Sequence, residues 1–174
     1  MPASTAPYFD PNLISTTYYI NPDDSQPRRE GMEQAARDLD LENLVRVPGI
    51  RGESLTGAER ADVIARVKID PAESGPLHQQ AGTTPDSPEG KKLEEHLALG
   101  KYGCHASHLK AMQTALANVK PGDENKWVVI LEDDAKLFPE ERDRINSAVA
   151  NAPQDAGAIM LDGLQFHFKK GFVP

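Results

Sequence analysis

The sequence contains one cysteine, Cys104, and no segment that resembles a secretion signal or a membrane anchor. A single thiol cannot form an internal disulfide, which excludes the small secreted scaffolds that disulfides hold together. Residues 1–5 have neither the basic nor the apolar region of a signal peptide. No apolar run reaches the roughly 20 residues that a membrane-spanning helix needs. We therefore expect a cytoplasmic protein without a transmembrane segment.

The chain has fewer basic residues than acidic ones. The chain has 19 lysines and arginines against 27 aspartates and glutamates, a formal net charge of −8. This excess of acid argues against a general binder of nucleic acid or of anionic membranes. A ligand that carries phosphate would therefore need a metal ion or locally placed arginines. The length of 174 residues and the hydrophobic content of 39% are typical of one soluble globular domain with a substantial core.

Several catalytic signatures are missing. The chain has no Ser-His-Asp arrangement, no zinc-type Cys/His spacing and no phosphate-binding P-loop. These absences argue against the hydrolase, zinc-protein and P-loop classes that those motifs mark.

Strand-like and helix-like segments alternate along the chain, which predicts an α/β fold with a mostly parallel sheet flanked by helices. Short β-branched or apolar runs predict strands at residues 16–20, 44–47, 127–131 and 158–161. Helices are predicted after Ser25, after a capping box at Thr56, and after Pro139. Residues 1–14 predict a flexible N-terminal arm, and proline-rich residues 70–92 predict a flexible loop within a domain of residues 15–174.

The clearest helical pattern runs from residue 102 to residue 119. Its apolar residues are spaced by three and four, as in a helix with one continuous apolar stripe. They are Tyr102, Ala106, Leu109, Met112, Leu116 and Val119. Lys120-Pro121-Gly122 is a stop signal for this helix.

The most informative segment joins the apolar run 127–131 to three consecutive acids, Glu132, Asp133 and Asp134. In open α/β sheets, ligands bind outside the carboxyl ends of the strands. Alternation along a strand would place the side chains of Glu132 and Asp134 on one face, with Cα atoms roughly 6–7 Å apart. Such a pair could hold a hard divalent cation such as Mg²⁺ or Mn²⁺. A solvated acidic loop is the alternative interpretation.

Four segments in order together resemble glycosyltransferase family 25, the lipopolysaccharide-type and collagen-type galactosyl- and glucosyltransferases. They are the strand and turn Tyr18-Tyr19-Ile20-Asn21-Pro22-Asp23 with Ser25, Arg28 and Arg29; the weaker segment Arg46-Val47-Pro48-Gly49-Ile50-Arg51-Gly52; the segment Gly100-Lys101-Tyr102-Gly103-Cys104-His105-Ala106-Ser107-His108-Leu109-Lys110; and Ile130-Leu131-Glu132-Asp133-Asp134-Ala135. Each match is weak alone, whereas four in this order are specific. The resemblance as a whole covers roughly residues 16 to 165.

This resemblance implies a GT-A-like, Rossmann-like fold and an inverting transfer of a hexose from a UDP-sugar donor to a glycan or protein-linked acceptor. It implies that Glu132 and Asp134 hold Mn²⁺ or Mg²⁺, which neutralises charge on the leaving diphosphate. It places Asp133 near the ribose or the sugar, and Asn21 with Arg28 or Arg29 near the nucleotide. The donor-binding set also includes Ser107 and His108, which are predicted early in a helix, where free N–H groups favour an anion.

The chain departs from the family pattern at two charged positions and in length. Arg51 and Lys101 stand where the family usually has acids. An inverting transferase also needs a general base, and in this family that part would follow the strand before Asp162. Too few residues follow Asp162 to supply it, so we expect a domain that lacks its C-terminal part, and we assign no catalytic residue.

Two alternatives to an active transferase follow from these observations. The first is a catalytically inactive nucleotide-sugar-binding or interaction module on the same fold. The second is a phospho-receiver domain, in which acids also follow a strand. In receiver domains the acids come early, and too little chain follows Asp134 to complete such a domain.

Overall fold

The computed structural model describes residues 7–153 and 155–159, in which strands and helices alternate as predicted. The elements are β1 (Ile14–Asn21), α1 (Gln26–Asp38), β2 (Leu44–Pro48), α2 (Gly57–Arg66), α3 (Pro71–Ala81), α4 (Pro88–Ala117), β3 (Trp127–Glu132) and α5 (Arg142–Ala150). Short 3₁₀ turns lie at Gly52–Ser54 and Pro139–Glu141.

The three strands form one parallel sheet in the order β2-β1-β3. The register sets Asn21 of β1 opposite Pro48 of β2, and Ile20 of β1 opposite Glu132 of β3. All three strands therefore end at the same edge. This confirms the α/β class and the parallel sheet, and it is consistent with a Rossmann-like glycosyltransferase fold.

Helices cover both faces of the sheet. Successive strand residues point to opposite sides, so neighbours in a strand contact different helices. Val129 of β3 belongs to an apolar cluster that includes Ala36 of α1 and Ile145 of α5. The next residue, Ile130, packs against a second cluster that includes Ala111 of α4. The sheet thus lies between α1 and α5 on one side and α4 on the other.

The apolar stripe of α4 is largely exposed. Leu109, Met112 and Leu116 are 46%, 49% and 76% exposed, and Val119 lies beyond the end of the helix. The buried face carries mostly small residues: Gly90, Ala98, Leu99, Gly103, Ser107, Ala111 and Ala115. Small side chains let the helix approach the sheet and the 50–52 segment closely, which large residues on that face would prevent.

The predicted flexible loop at residues 70–92 is wrong, because this segment contains α3 and the start of α4. Two of its prolines occupy first helical positions, where a missing N–H costs nothing. The residues before them, Asp70 and Ser87, accept capping hydrogen bonds from the N–H groups of Ala72 and Gly90. These two prolines therefore mark helix starts. The capping box predicted at Thr56 makes no such side-chain bond, although α2 begins after it as expected.

The predicted N-terminal arm differs from the structure over residues 7–13, which pack against the body of the domain. Tyr8 and Phe9 are buried at 2% and 7% exposure, with their rings edge to face at 5.0 Å. The Tyr8 hydroxyl donates to the Phe138 carbonyl at 3.0 Å, and Asn146 of α5 donates to the Tyr8 carbonyl at 2.9 Å. Burial of two aromatic rings outweighs the lack of periodicity that suggested an arm.

The predicted strand 158–161 lies only partly within the described residues. Ala158 and Ile159 are not in a strand, and Ile159 packs against the core cluster of α1 and α5. Residues 160 and 161, and Asp162 after them, lie outside the described residues. No helix in the described part of the chain has the length and apolarity to cross a membrane.

Candidate functional site

Polar side chains gather where the three strands end. Asn21 is the last residue of β1, Arg46 lies near the end of β2, and Asp133 and Asp134 follow β3 directly. The parallel sheet brings them to one edge, as the sequence predicted from its acids. The N-terminal turn of α1 supplies Arg28 to the same edge.

Asn21 is the centre of a buried network at this edge. It is 1% exposed, and its amide donates to Asp133 Oδ2 at 2.7 Å and to the Ser25 carbonyl at 2.9 Å. Its side-chain oxygen accepts from Arg46 Nε at 3.0 Å, and Arg46 also bonds to the Asn21 carbonyl and to Asp23. Because all of its polar groups are engaged, Asn21 positions the charged residues around it.

Arg28 links the two aspartates of the acidic turn to α1. Its Nη1 lies 3.2 Å from Asp133 Oδ1 and 3.5 Å from Asp134 Oδ2. The Asp133 side chain is only 6% exposed, whereas those of Arg28 and Asp134 are 58% and 61% exposed. Asp133 is therefore a fixed inner carboxylate, and Arg28 with Asp134 forms an outer pair that a ligand can reach.

Glu132 and Asp134 contact different helices, so the alternation argument that placed them on one face does not hold. β3 ends at Glu132, and the next residues form a turn in which the Ala135 N–H donates to the Glu132 carbonyl at 3.1 Å. In a turn, side chains no longer alternate about a sheet plane. Glu132 faces α4 and Asp134 reaches Arg28 of α1.

On the α4 side, Glu132 meets Cys104 and His108, which lie one helical turn apart. Its Oε1 is 3.2 Å from His108 Nε2 and 3.9 Å from Cys104 Sγ. Burial, together with the charge and the hydrogen bond of Glu132, raises the pKa of the Cys104 thiol. The side chains of His108 and Glu132 are 33% and 56% exposed, so this corner is also open to solvent.

Ser107 joins α4 to the loop after β2. It is 4% exposed, accepts from the Ile50 N–H at 2.7 Å and donates to the Gly103 carbonyl at 2.6 Å. A Cβ on Gly103 would stand 2.7 Å from the Ile50 carbonyl oxygen and 2.8 Å from the Gly52 nitrogen, so glycine is required for this close approach. The two family-like segments at residues 46–52 and 100–110 therefore pack directly on each other.

Ser107 and His108 are not at a helix N-terminus. The helix begins at Pro88, so both residues lie well inside α4, where backbone N–H groups are paired within the helix. The expectation that free N–H groups there would favour an anion is wrong. The reason is that α4 begins at Pro88, within the segment that was expected to be a loop.

The two charge reversals relative to the family pattern each have an acidic partner. Arg51 bonds to Asp24 Oδ1 through Nε at 3.0 Å and through Nη2 at 2.8 Å, and this pairing lowers the pKa of Asp24. Lys101 pairs with Glu73 of α3. Lys101 therefore points toward α3, and Arg51 ties the loop after β2 to the turn after β1.

Arg29 lies on the side of α1 near Tyr19, a buried residue of β1. The Tyr19 hydroxyl donates to Glu33 Oε1 at 3.0 Å. Burial and this hydrogen bond to a carboxylate raise the pKa of Tyr19 to about 12, while the charges of Arg46 and Arg29 act in the opposite direction.

Two residues of the site were not in the predicted set. Arg46 lies in the weaker family-like segment, and its position near the end of a predicted strand was a usable signal. Cys104 lies in the family-like segment 100–110, but as a single cysteine it indicated only that the chain has no internal disulfide. Its spacing of four from His108 places both on one helix face, but nothing in the sequence shows that Glu132 meets them.

Comparison with known families gives one match. The family model described as "Glycosyltransferase family 25 (LPS biosynthesis protein)" matches residues 14–172. Searches of curated proteins and of solved structures found no match.

Proposed function

The chain belongs to glycosyltransferase family 25, and on that premise we propose that it transfers a hexose, galactose or glucose, from a UDP-sugar to a glycan or protein-linked acceptor. The family description makes an acceptor in lipopolysaccharide the first choice. We propose an inverting, metal-dependent reaction. The observation that carries the proposal is the acidic turn after β3, held by Asn21 and Arg28 at the carboxyl edge of a parallel sheet.

The proposed metal ligands are Glu132 and Asp134, and the ion is Mn²⁺ or Mg²⁺. Both are exposed carboxylates, and hard cations of this kind bind through one or two carboxylates plus substrate phosphates. When bound, such an ion neutralises the charge that develops on a departing diphosphate. The fit requires both carboxylates to turn toward the ion, Asp134 away from Arg28 and Glu132 away from His108. Both contacts are exposed, so breaking them costs little.

The neighbouring residues have distinct proposed roles at the donor. Arg28, released from Asp134, would bind a donor phosphate through its fork of N–H groups. Asp133 stays fixed by Asn21 through Oδ2, and its Oδ1 would accept from a ribose or sugar hydroxyl once Arg28 turns toward the phosphate. Arg29, Ser107 and His108 complete the proposed donor site; Ser107 acts there by holding the loop at residue 50.

Binding of UDP tests the donor site directly. Calorimetry should show UDP binding that requires Mn²⁺, and Asp134→Ala should weaken it by at least about tenfold, since even outer-shell changes at metal sites cost 10–100-fold. Asp143→Ala is the matched control, because it removes another exposed carboxylate that pairs with an arginine, on α5 and away from the acidic turn. Absence of UDP binding at saturating Mn²⁺ in the unmodified protein would contradict the proposal.

A turnover screen separates the transferase from the inactive module. The protein is incubated with Mn²⁺ and individual UDP-sugars, with and without glycan acceptors, and release of UDP is measured. Acceptor-dependent release supports transfer. Tight UDP binding without release from any donor would favour a nucleotide-sugar-binding module on the same fold.

A further inference from the structure

Cys104, His108 and Glu132 bring a sulfur, a nitrogen and an oxygen ligand together between α4 and the end of β3. The Sγ of Cys104, a ring nitrogen of His108 and a carboxylate oxygen of Glu132 all lie within 4.8 Å of one another. The His108 Nε2–Glu132 Oε1 distance is 3.2 Å and the Cys104 Sγ–Glu132 Oε1 distance is 3.9 Å. We propose that these three side chains form a binding site for a borderline-soft divalent cation, Zn²⁺ or Co²⁺.

The separations suit a tetrahedral ion. With bonds of about 2.3 Å to sulfur and 2.0–2.2 Å to nitrogen and oxygen, ligand atoms around tetrahedral Zn²⁺ lie roughly 3.3–3.7 Å apart. The pairs that contact Glu132 are already within a few tenths of an ångström of this range. The three ligand atoms already lie within 4.8 Å of one another, so small movements would bring them to an ion.

The scaffold holds the ligands on regular elements. Cys104 and His108 are four residues apart on α4, which puts them on one face one turn apart. Glu132 is the last residue of β3, paired with Ile20 in the sheet. Three protein ligands with an open fourth position are typical of catalytic rather than structural zinc sites. The partial exposure of His108 and Glu132 provides an entry path for the ion.

The ligand types decide which ion is bound. Thiolate and imidazole select zinc-like ions, whereas Mg²⁺ prefers oxygen ligands alone. This site is therefore different in kind from the proposed carboxylate pair for Mn²⁺ or Mg²⁺. The two share Glu132, so a zinc-like ion on Cys104 and His108 would withdraw Glu132 from the donor metal. The proposal goes beyond the transferase proposal and does not depend on it.

Cobalt absorption tests the site in the full chain. Titration with Co²⁺ in the absence of UDP should produce thiolate-to-cobalt charge-transfer absorption together with tetrahedral d–d bands. Both should saturate at one equivalent of Co²⁺. Cys104→Ser should abolish the charge-transfer absorption, and His108→Ala should weaken binding by at least tenfold. His105→Ala is the matched control on the same helix and should leave binding unchanged. An octahedral spectrum without charge transfer, or equal loss in the two histidine variants, would overturn the proposal.

The reactivity of the Cys104 thiol gives a second readout, because protection by added Zn²⁺ can be measured in the unmodified, folded protein. Because Cys104 is the only cysteine, the reaction of the whole protein with a disulfide reagent reports on this residue alone. Zn²⁺ should slow this reaction at least tenfold, Mg²⁺ should not, and His108→Ala should lose the protection. Asp134→Ala should keep the protection while losing UDP binding, which separates this site from the donor site. A thiol equally reactive with and without Zn²⁺ would refute the site.

Discussion

The side-chain amide of Asn21 at the end of β1 donates a 2.7 Å hydrogen bond to the buried carboxylate of Asp133 after β3. The same amide group bonds to Ser25, and its oxygen accepts from Arg46. One buried residue therefore connects the ends of all three strands and the start of α1. The position of the acidic turn depends on this connection, because hydrogen bonds from Asn21 and Arg28 hold the buried Asp133 carboxylate.

Loss of the Asn21 side chain should destabilise the fold. Asn21→Ala leaves the buried Asp133 carboxylate short of a partner, which costs about 1–3 kcal/mol or more for a charged group. The exposed Asn125→Ala should change the free energy of unfolding by less than about 0.5 kcal/mol. Urea unfolding measures both.

The Asn21–Asp133 coupling can be isolated with a double-mutant cycle. The double variant Asn21→Ala/Asp133→Ala removes both partners. Its loss of unfolding free energy should be clearly smaller than the sum of the losses in the two single variants. Strict additivity would show that the contact does not couple the two strand ends.

Two glycines of α4 should respond oppositely to alanine. Gly103→Ala places a Cβ against the backbone of Ile50 and Gly52, so we expect a loss of about 1–3 kcal/mol from overpacking. Gly100→Ala meets nothing within 4 Å and should stabilise the helix by about 0.5–1 kcal/mol. Thermal or urea unfolding of the two variants provides the comparison, and equal effects would contradict the packing of α4 on residues 50–52.

The two faces of α4 can be distinguished by a second pair of variants. Leu116 is 76% exposed, so Leu116→Gln should change stability by no more than about 0.5 kcal/mol. Ala111 is fully buried against the sheet, so Ala111→Leu should cost about 1–3 kcal/mol. If Leu116→Gln were the more damaging change, the apolar stripe would be the buried face after all.

Tyr19 should make stability fall in alkaline solution. Its pKa is raised from 10.0 to about 12 in the folded chain, so the native state holds its proton between those pH values while the unfolded state loses it. The stabilisation is complete below pH 10 and decreases as pH rises toward 12. At pH 11 the loss amounts to about 1.4 kcal/mol, one pH unit above the unfolded pKa.

The Tyr19 effect is measured as a difference from Tyr19→Phe, which cannot ionise. Relative to Tyr19→Phe, the unmodified protein should lose about 1.4 kcal/mol of unfolding free energy between pH 8 and pH 11. A gap that is the same at both pH values would contradict the pKa of Tyr19.

Much of the fold followed from local patterns in the sequence. The strand runs at Tyr18 and Val129 and the helix signals at Ser25 predicted the α/β order, because strand and helix periods differ. The helices at Pro71 and Pro88 were missed, since a proline in a first turn looks the same in sequence as a proline in a loop. Their caps, Asp70 and Ser87, were the available signal.

The sequence predicted where the acids lie but not what they contact. The acids at residues 132–134 were expected at the carboxyl edge of a parallel sheet, and the structure places them there, since parallel strands end together. Which helix each acid contacts was not predictable, because β3 stops at Glu132 and the turn redirects Asp134 toward Arg28. Cys104 joins the corner through tertiary contact alone.

By itself, the sequence determined the family, the alternation of strands and helices, and the carboxylates that end β3. These depend on residue type and local spacing. The tertiary structure decided that α4 packs through Gly103 and Ala111 and leaves Leu116 in solvent, and that Glu132 lies beside Cys104 and His108. Helical periodicity groups residues into faces, but the distance of closest approach to the sheet selects the face that is buried, and only the packed fold sets that distance.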